Sequence, residues 1–228
     1  MPIKVSRVSE NSLIVYFGEK IDLELIGKIA RFTHTLEQHY GALLYEVIPS
    51  YTSVLIEYHP LKIEINQFIS WCQQQAKRVM CDHTKAQGKV VTLPVYYHAE
   101  VAPDLDSLAR DKNLTIQQVI DIHSQTDYTV CAIGFAPGFA FLGSVDAKIV
   151  TPRHAEPRLK VARGSVGIAD QQTAVYPQQT PGGWQIIGNC PLDLFNIQHD
   201  PMMPFEVGDT VRFSPISRKQ FVEMGGML

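Results

Sequence analysis

The residues best suited to chemistry cluster in 133–143, IGFAPGFAFLG, where Gly134, Gly138 and Gly143 bracket Pro137 and three phenylalanines, Phe135, Phe139 and Phe141. Pro137-Gly138 fits the centre of a type II turn, whose second residue takes a positive φ. A turn of this kind presents backbone N–H groups with no Cβ in the way. A carboxylate, amide or phosphate oxygen can therefore approach the backbone of 134–138, with the phenylalanines as walls. The same residues fit equally well a glycine-rich barrel turn over a phenylalanine core.

The next segment, 151–164 (TPRHAEPRLKVARG), sets Arg153, Arg158, Lys160 and Arg163 against the single acid Glu156. Arginine offers a planar fork of donors matched to carboxylates and phosphates, and Pro152 and Pro157 stiffen the loop that carries it; a solvated surface loop is the plainer reading of such a charge run. Downstream, GSVGIADQQTAVY at 164–176 and PGGWQIIG at 181–188 supply Ser165, Gln172, Thr173, Tyr176, Gly183 and Trp184, polar and aromatic groups between glycine turns that suit a small polar ligand. Ser165 sits in G-S-V-G rather than G-x-S-x-G, which argues against a covalent serine mechanism. His123 is the best-placed candidate for proton transfer, because imidazole titrates near neutrality; capping or packing a helix end is the alternative role for such a histidine.

Several chemistries lack their residues. There is no G-x-x-x-x-G-K-[ST] phosphate loop, no G-x-G-x-x-G fingerprint, no HExxH and no acidic pattern that would hold magnesium. Cys72, Cys81, Cys131 and Cys190 form no CxxC pair, so reduced thiols are expected and no metal site. A net charge of −3 gives no electrostatic reason to bind nucleic acid or anionic lipid. The apolar runs are short and the N-terminus lacks a signal-peptide core, so a cytoplasmic protein without membrane spans is expected.

The elements that must position these residues fall into two halves. In the first, 12–17 reads as a strand, a helical stripe of Leu25, Ile26, Ile29, Ala30, Thr33 and Leu36 follows the N-cap Asp22, strands are expected at 43–49 and 53–59, and a second helix at about 63–80. A strand at 90–97 would complete a β-α-β-β-α-β unit of ferredoxin-like type. The polar stretch 82–89 marks its end. In the second half, short helices are expected at 103–112, opened by Pro103 or Asp104, and at 115–124, capped by Thr115. Beyond Tyr128, short apolar runs between Gly and Pro predict a β-barrel or sandwich, closed by a short helix after Ser217.

GFAPGFAFLG, then TPR…PR, then GSVGIA…QT…YP, then PGGW…IG, in that order, resemble the hallmark series of the allophanate hydrolase subunit 1 family, which includes KipI and PxpB. The resemblance implies an α+β chain with a ferredoxin-like domain at 1–85 and a cyclophilin-like β-barrel at 89–228. It implies a subunit of an ATP-dependent 5-oxoprolinase complex that opens 5-oxo-L-proline to L-glutamate, with a second cyclophilin-like subunit of the PxpC type and a PxpA-like lactam-utilisation subunit as partners. ATP, with Mg, would act at the level of that complex, no cofactor being obvious in this chain. Two other roles occur among relatives: inhibition of a sensor histidine kinase, as by KipI, and urea or allophanate metabolism. Ala162-Arg163 and Asp170-Gln171 depart from the usual Pro-Ala and small residues, which leaves the glycines intact and adds side chains near the expected groove.

Overall fold

Alternation of apolar and polar residues fixes the first sheet: Leu13 and Val15 on one strand, and Val54, Ile56 and Tyr58 on another, turn their side chains to one face and are buried. A computed structural model describes residues 3–82 and 88–228, and the chain divides into two compact units, Met1–Gly88 and Lys89–Leu228. The polar boundary expected at 82–89 falls largely outside the described residues.

The first unit runs β1 (Lys4–Arg7), β2 (Ser12–Tyr16), α1 (Leu23–Tyr40), β3 (Leu44–Ser50), β4 (Ser53–Tyr58) and α2 (Ile65–Cys81). Its sheet is antiparallel in the order β1-β2-β4-β3. Asp22 caps α1 by accepting the Glu24 N–H at 2.9 Å, and Leu25, Ile26, Ile29, Phe32 and Leu36 form its buried stripe. The element order is therefore ββαββα, and the expected β-α-β-β-α-β order is corrected in one strand. The edge beside β2 is taken by the N-terminal Lys4–Arg7, while the segment expected to complete this sheet, β5 (Val90–Val95), pairs elsewhere.

In the second unit β5 lies parallel to β13 (Thr210–Pro215), each residue from Val90 to Val95 in register with one from Thr210 to Pro215. Between them come α3 (Leu105–Asp111), α4 (Ile116–Gln125), β6 (Tyr128–Ile133), β7 (Ala140–Gly143), β8 (Arg158–Val161), β9 (Ser165–Ala169), β10 (Gln172–Val175), β11 (Thr180–Gly182) and β12 (Gln185–Asn189); α5 (Arg218–Glu223) follows. Seven strands form one sheet in the order β12-β9-β10-β7-β6-β13-β5. Its two ends meet where Tyr96 and Asn189 exchange backbone hydrogen bonds of 2.9 and 3.0 Å, so the sheet is nearly closed on itself. Such closure leaves few strand edges unpaired.

Alternate residues of these strands serve two cores. Ala140, Leu142, Val166, Ile168, Val175 and Ile187 join the larger core with α3 and α4. Their neighbours Phe139, Phe141, Ala169, Ala174, Tyr176 and Ile186 point the other way, into a second cluster with Trp184 and Val161. The β8–β11 ribbon supplies Val161 to that cluster. Among the described residues no helix is long and apolar enough to cross a membrane.

Candidate functional site

The turn after β6 takes the expected form. Phe139 N–H bonds to the Ala136 carbonyl at 3.0 Å across Pro137-Gly138, and Gly138 has φ +83°. A Cβ there would stand 2.8 Å from the Leu194 carbonyl oxygen and from the Phe195 Cβ, so side-chain-free backbone is required at this position. Phe135 also has a positive φ, +72°, and is 64% exposed. Gly134 N–H bonds to the Phe139 carbonyl, closing the loop.

The other aromatic residues do not wall a pocket. Phe139 is the hub of edge-to-face contacts with Phe141 (4.9 Å), Tyr176 (5.3 Å) and Trp184 (5.7 Å), and Phe139, Tyr176 and Trp184 are all buried. Rings packed at these distances fill the space a ligand would need. A peptide groove built on Phe135, Phe139 and Trp184 is excluded for the same reason, because only Phe135 is accessible. Arg153, exposed, and Arg158, half-buried, both approach this cluster: burial pushes the Tyr176 phenol up, and the two guanidinium charges oppose that shift. Gly183 accepts the His154 backbone N–H at 2.7 Å.

The open site lies beside this cluster. A cleft of about 390 Å³ is lined by Arg158, Lys160, Ser165, Ile186, Asn189 and Glu100, among others. Strand geometry places Arg158 and Lys160 on the same side of β8, two residues apart, with Leu159 between them exposed. Ser165 opens β9 opposite Asn189 on β12. It is only 3% exposed, yet its hydroxyl bonds to no described protein group and lines the cleft. Asn189 Nδ2 donates to the Arg163 carbonyl at 2.9 Å. On the other side Glu100 accepts from Tyr96 Oη at 2.8 Å and from Arg218 Nε at 3.2 Å. The tyrosine hydrogen bond, with help from Arg218, holds the Glu100 carboxyl below its usual range. A guanidinium, an ammonium and an unpartnered hydroxyl on one concave surface suit a carboxylate.

The structure thus brings Arg158 and Ser165 together in this cleft and seats Tyr176 and Trp184 in the neighbouring core. The loop 134–138 contributes no cleft residue. Gln172 lies on β10 across from Gly143. His123 is elsewhere altogether. It is fully buried, stacked on Phe213 at 4.6 Å, and bridged between Tyr97 Oη (2.8 Å to Nδ1) and Thr173 Oγ1 (2.9 Å to Nε2). Thr173 spends its own proton on the Gly167 carbonyl, so Nε2 carries the imidazole proton and Nδ1 accepts from Tyr97. Burial pushes the His123 pKa down to about 3. A neutral imidazole locked by two hydroxyls, out of reach of the cleft, fits a structural bridge and not the proton-transfer role expected of it.

Asp104 is the functional residue that sequence reasoning passed over. It precedes α3 as a cap should, but its side chain makes no capping bond. Its carboxylate instead accepts Arg158 Nη2 at 2.5 Å and the Ile186 N–H at 2.6 Å. The local pattern, an aspartate before a helix, carries no sign of partners more than fifty residues away. Lys160 is likewise legible only as a charge, and Asn189 carries no local signal.

The sequence matches the family model described as carboxyltransferase domain, subdomain C and D, over residues 3–205. The chain belongs to that family. Along 227 residues it is 35% identical to the B subunit of 5-oxoprolinase from Bacillus subtilis, covering 96% of this chain and 95% of that protein. The solved structure of TTHA0988 superposes with a TM-score of 0.79 at 26% identity, over 90% of this chain and 40% of that one. The urea carboxylase of Kluyveromyces lactis superposes with a TM-score of 0.70 over 97% of this chain and 22% of its own; at 19% identity that likeness concerns the fold. The likeness thus extends over almost the whole of a chain of about this length and over 40% and 22% of two longer ones.

Proposed function

We propose that this carboxyltransferase-family chain is a subunit of an ATP-dependent 5-oxoprolinase complex, in which its cleft holds the carboxylate of 5-oxo-L-proline while the lactam C–N bond is opened to give L-glutamate. The observation that carries this reading is the end-to-end similarity to a 5-oxoprolinase subunit, together with a cleft whose side chains match a carboxylate. Arg158 and Lys160 would bind that group and Ser165 would orient it by donating its free hydroxyl proton, fixing the ring for attack by water. A lactam is a stable amide, which accounts for the coupling to ATP. Mg-ATP would act at the level of the complex, which joins this chain to a second cyclophilin-like subunit and a lactam-utilisation subunit. His123 serves the fold in this account.

The test is ATP-dependent glutamate release by the chain co-expressed with those partners. Arg158→Ala, in complexes that still assemble, is expected to raise KM for 5-oxoproline about tenfold or more, the worth of a charge-assisted hydrogen bond. A complex without turnover overturns the enzyme reading, and an unchanged KM removes the cleft from it.

A further inference from the structure

A carboxylate as buried as Asp104, 4% exposed, is costly to hold in the protein unless its charge is met. Arg158 meets it, with Nη2 at 2.5 Å from Oδ1. The Ile186 N–H occupies Oδ2 at 2.6 Å, and His154 Nε2 approaches Oδ1 to 3.3 Å without the alignment of a hydrogen bond. The second Arg158 nitrogen, Nη1, reaches the Trp184 carbonyl at 3.4 Å. The guanidinium is therefore fixed, and its charge is compensated from behind while its flank lines the cleft. Glu100, whose carboxylate side chain does line the cleft, is compensated by Arg218. Lys160 makes no ion pair among the described residues, which leaves it as the uncompensated side-chain charge of the cleft, whose lining it shares with Ser165, a largely buried residue with an unpartnered hydroxyl.

We propose that Asp104 is a specificity-determining residue that tunes this cleft to a single negative charge, so that it selects a small monocarboxylate over a dianion such as a phosphate or sulfate. The inference rests on reading the cleft as a carboxylate site. Its physical basis is that Coulomb energy scales with ligand charge, so the fixed negative charge behind Arg158 disfavours a dianion twice as strongly as a monoanion. Asparagine at this position keeps the shape and an acceptor for the Ile186 N–H but removes the charge. Any loosening of Arg158 would, by the same scaling, weaken a dianion the more and move the ratio toward acetate, so a shift toward sulfate reports the lost charge of Asp104.

The experiment is an amide-shift titration of the ¹⁵N-labelled full chain with sodium acetate and with sodium sulfate at matched ionic strength, followed at Ile186 and Ser165. The native protein is expected to bind acetate the more tightly, and Asp104→Asn to move the acetate-to-sulfate ratio about tenfold toward sulfate. Lys160→Ala, an exposed and structurally tolerant change, is expected to weaken acetate about fivefold. A native preference for sulfate, no response of these amides to either anion, or a ratio that stays within twofold in Asp104→Asn would each overturn the proposal. Should Asp104→Asn fail to fold, a loss under twofold in Lys160→Ala overturns it instead. The titration needs no turnover, so a complex unable to open 5-oxoproline would sink the enzyme reading without touching this result.

Discussion

His123 illustrates how far a residue's type can mislead about its work. Its position near a helix end was plain in the sequence, and its neighbours were not, because Tyr97, Thr173 and Phe213 come from three separate strands or strand ends. Folding carries the imidazole into the core and drops its pKa to about 3, against an ordinary 6.5. Between those values the unfolded chain takes up a proton that the folded one refuses. Its contribution to stability is therefore complete above about pH 6.5 and declines as the pH falls below that value. At about 1.36 kcal/mol per unit, the descent to pH 5 removes about 2 kcal/mol through this group alone. Urea denaturation at pH 7 and pH 5 should show that loss in the native protein and a shallower dependence in His123→Gln. An equally steep dependence in the variant would place the proton uptake on another group. By contrast, the turn at Pro137-Gly138 was legible, since its φ requirement is local to two residues.

At the scale of elements, helices were read well because their signals are local. Asp22, Thr115 and Ser217 all cap the helices they precede, and a stripe repeated every three or four residues marks the buried face. The ends of the first sheet carry no such local signal. β1 is four residues, KVSR, with no fully buried position, and so has no apolar signature. The allegiance of β5 depends on a partner at Thr210–Pro215 that no local pattern names. Of the two roles the sequence allows the aromatic residues, walls of a site or a packed phenylalanine core, the cluster outside the barrel sheet takes the second, with Val161 of the β8–β11 ribbon packed into it. This distinction has a measurable consequence. Phe139 packed among Phe141, Tyr176 and Trp184 should cost about 3–5 kcal/mol when truncated to alanine, by equilibrium denaturation. A phenylalanine walling an open pocket would already be wetted in the native state and would lose roughly 1 kcal/mol or less. A loss of that smaller size would restore the pocket that the packing rules out.

The whole molecule is divided where β5 begins. Lys89 sits at the head of that strand, its backbone N–H donating to Asp209 Oδ1 at 2.9 Å and its ammonium 3.7 Å from Asp209 Oδ2, beside β13. Every strand of the nearly closed sheet, and the core of α3 and α4 within it, comes from Lys89 onward. A chain cut between residues 88 and 89 therefore leaves that sheet whole. A cut at 98, beyond the strand read as completing the first unit's sheet, takes away β5. It strips β13 of its parallel partner, removes Leu93, Val95 and Tyr97 from the larger core, and deletes Tyr96, whose backbone bonds join the two ends of the sheet. Buried backbone groups left without partners and the lost apolar burial both act against the fragment. Residues 89–228 expressed alone are expected to unfold in one cooperative thermal transition with dispersed amide resonances, and residues 99–228 are expected to show neither. Equal cooperativity in the two fragments would mean that β5 is dispensable to the barrel, and the strand order of the second unit's sheet would have to be redrawn.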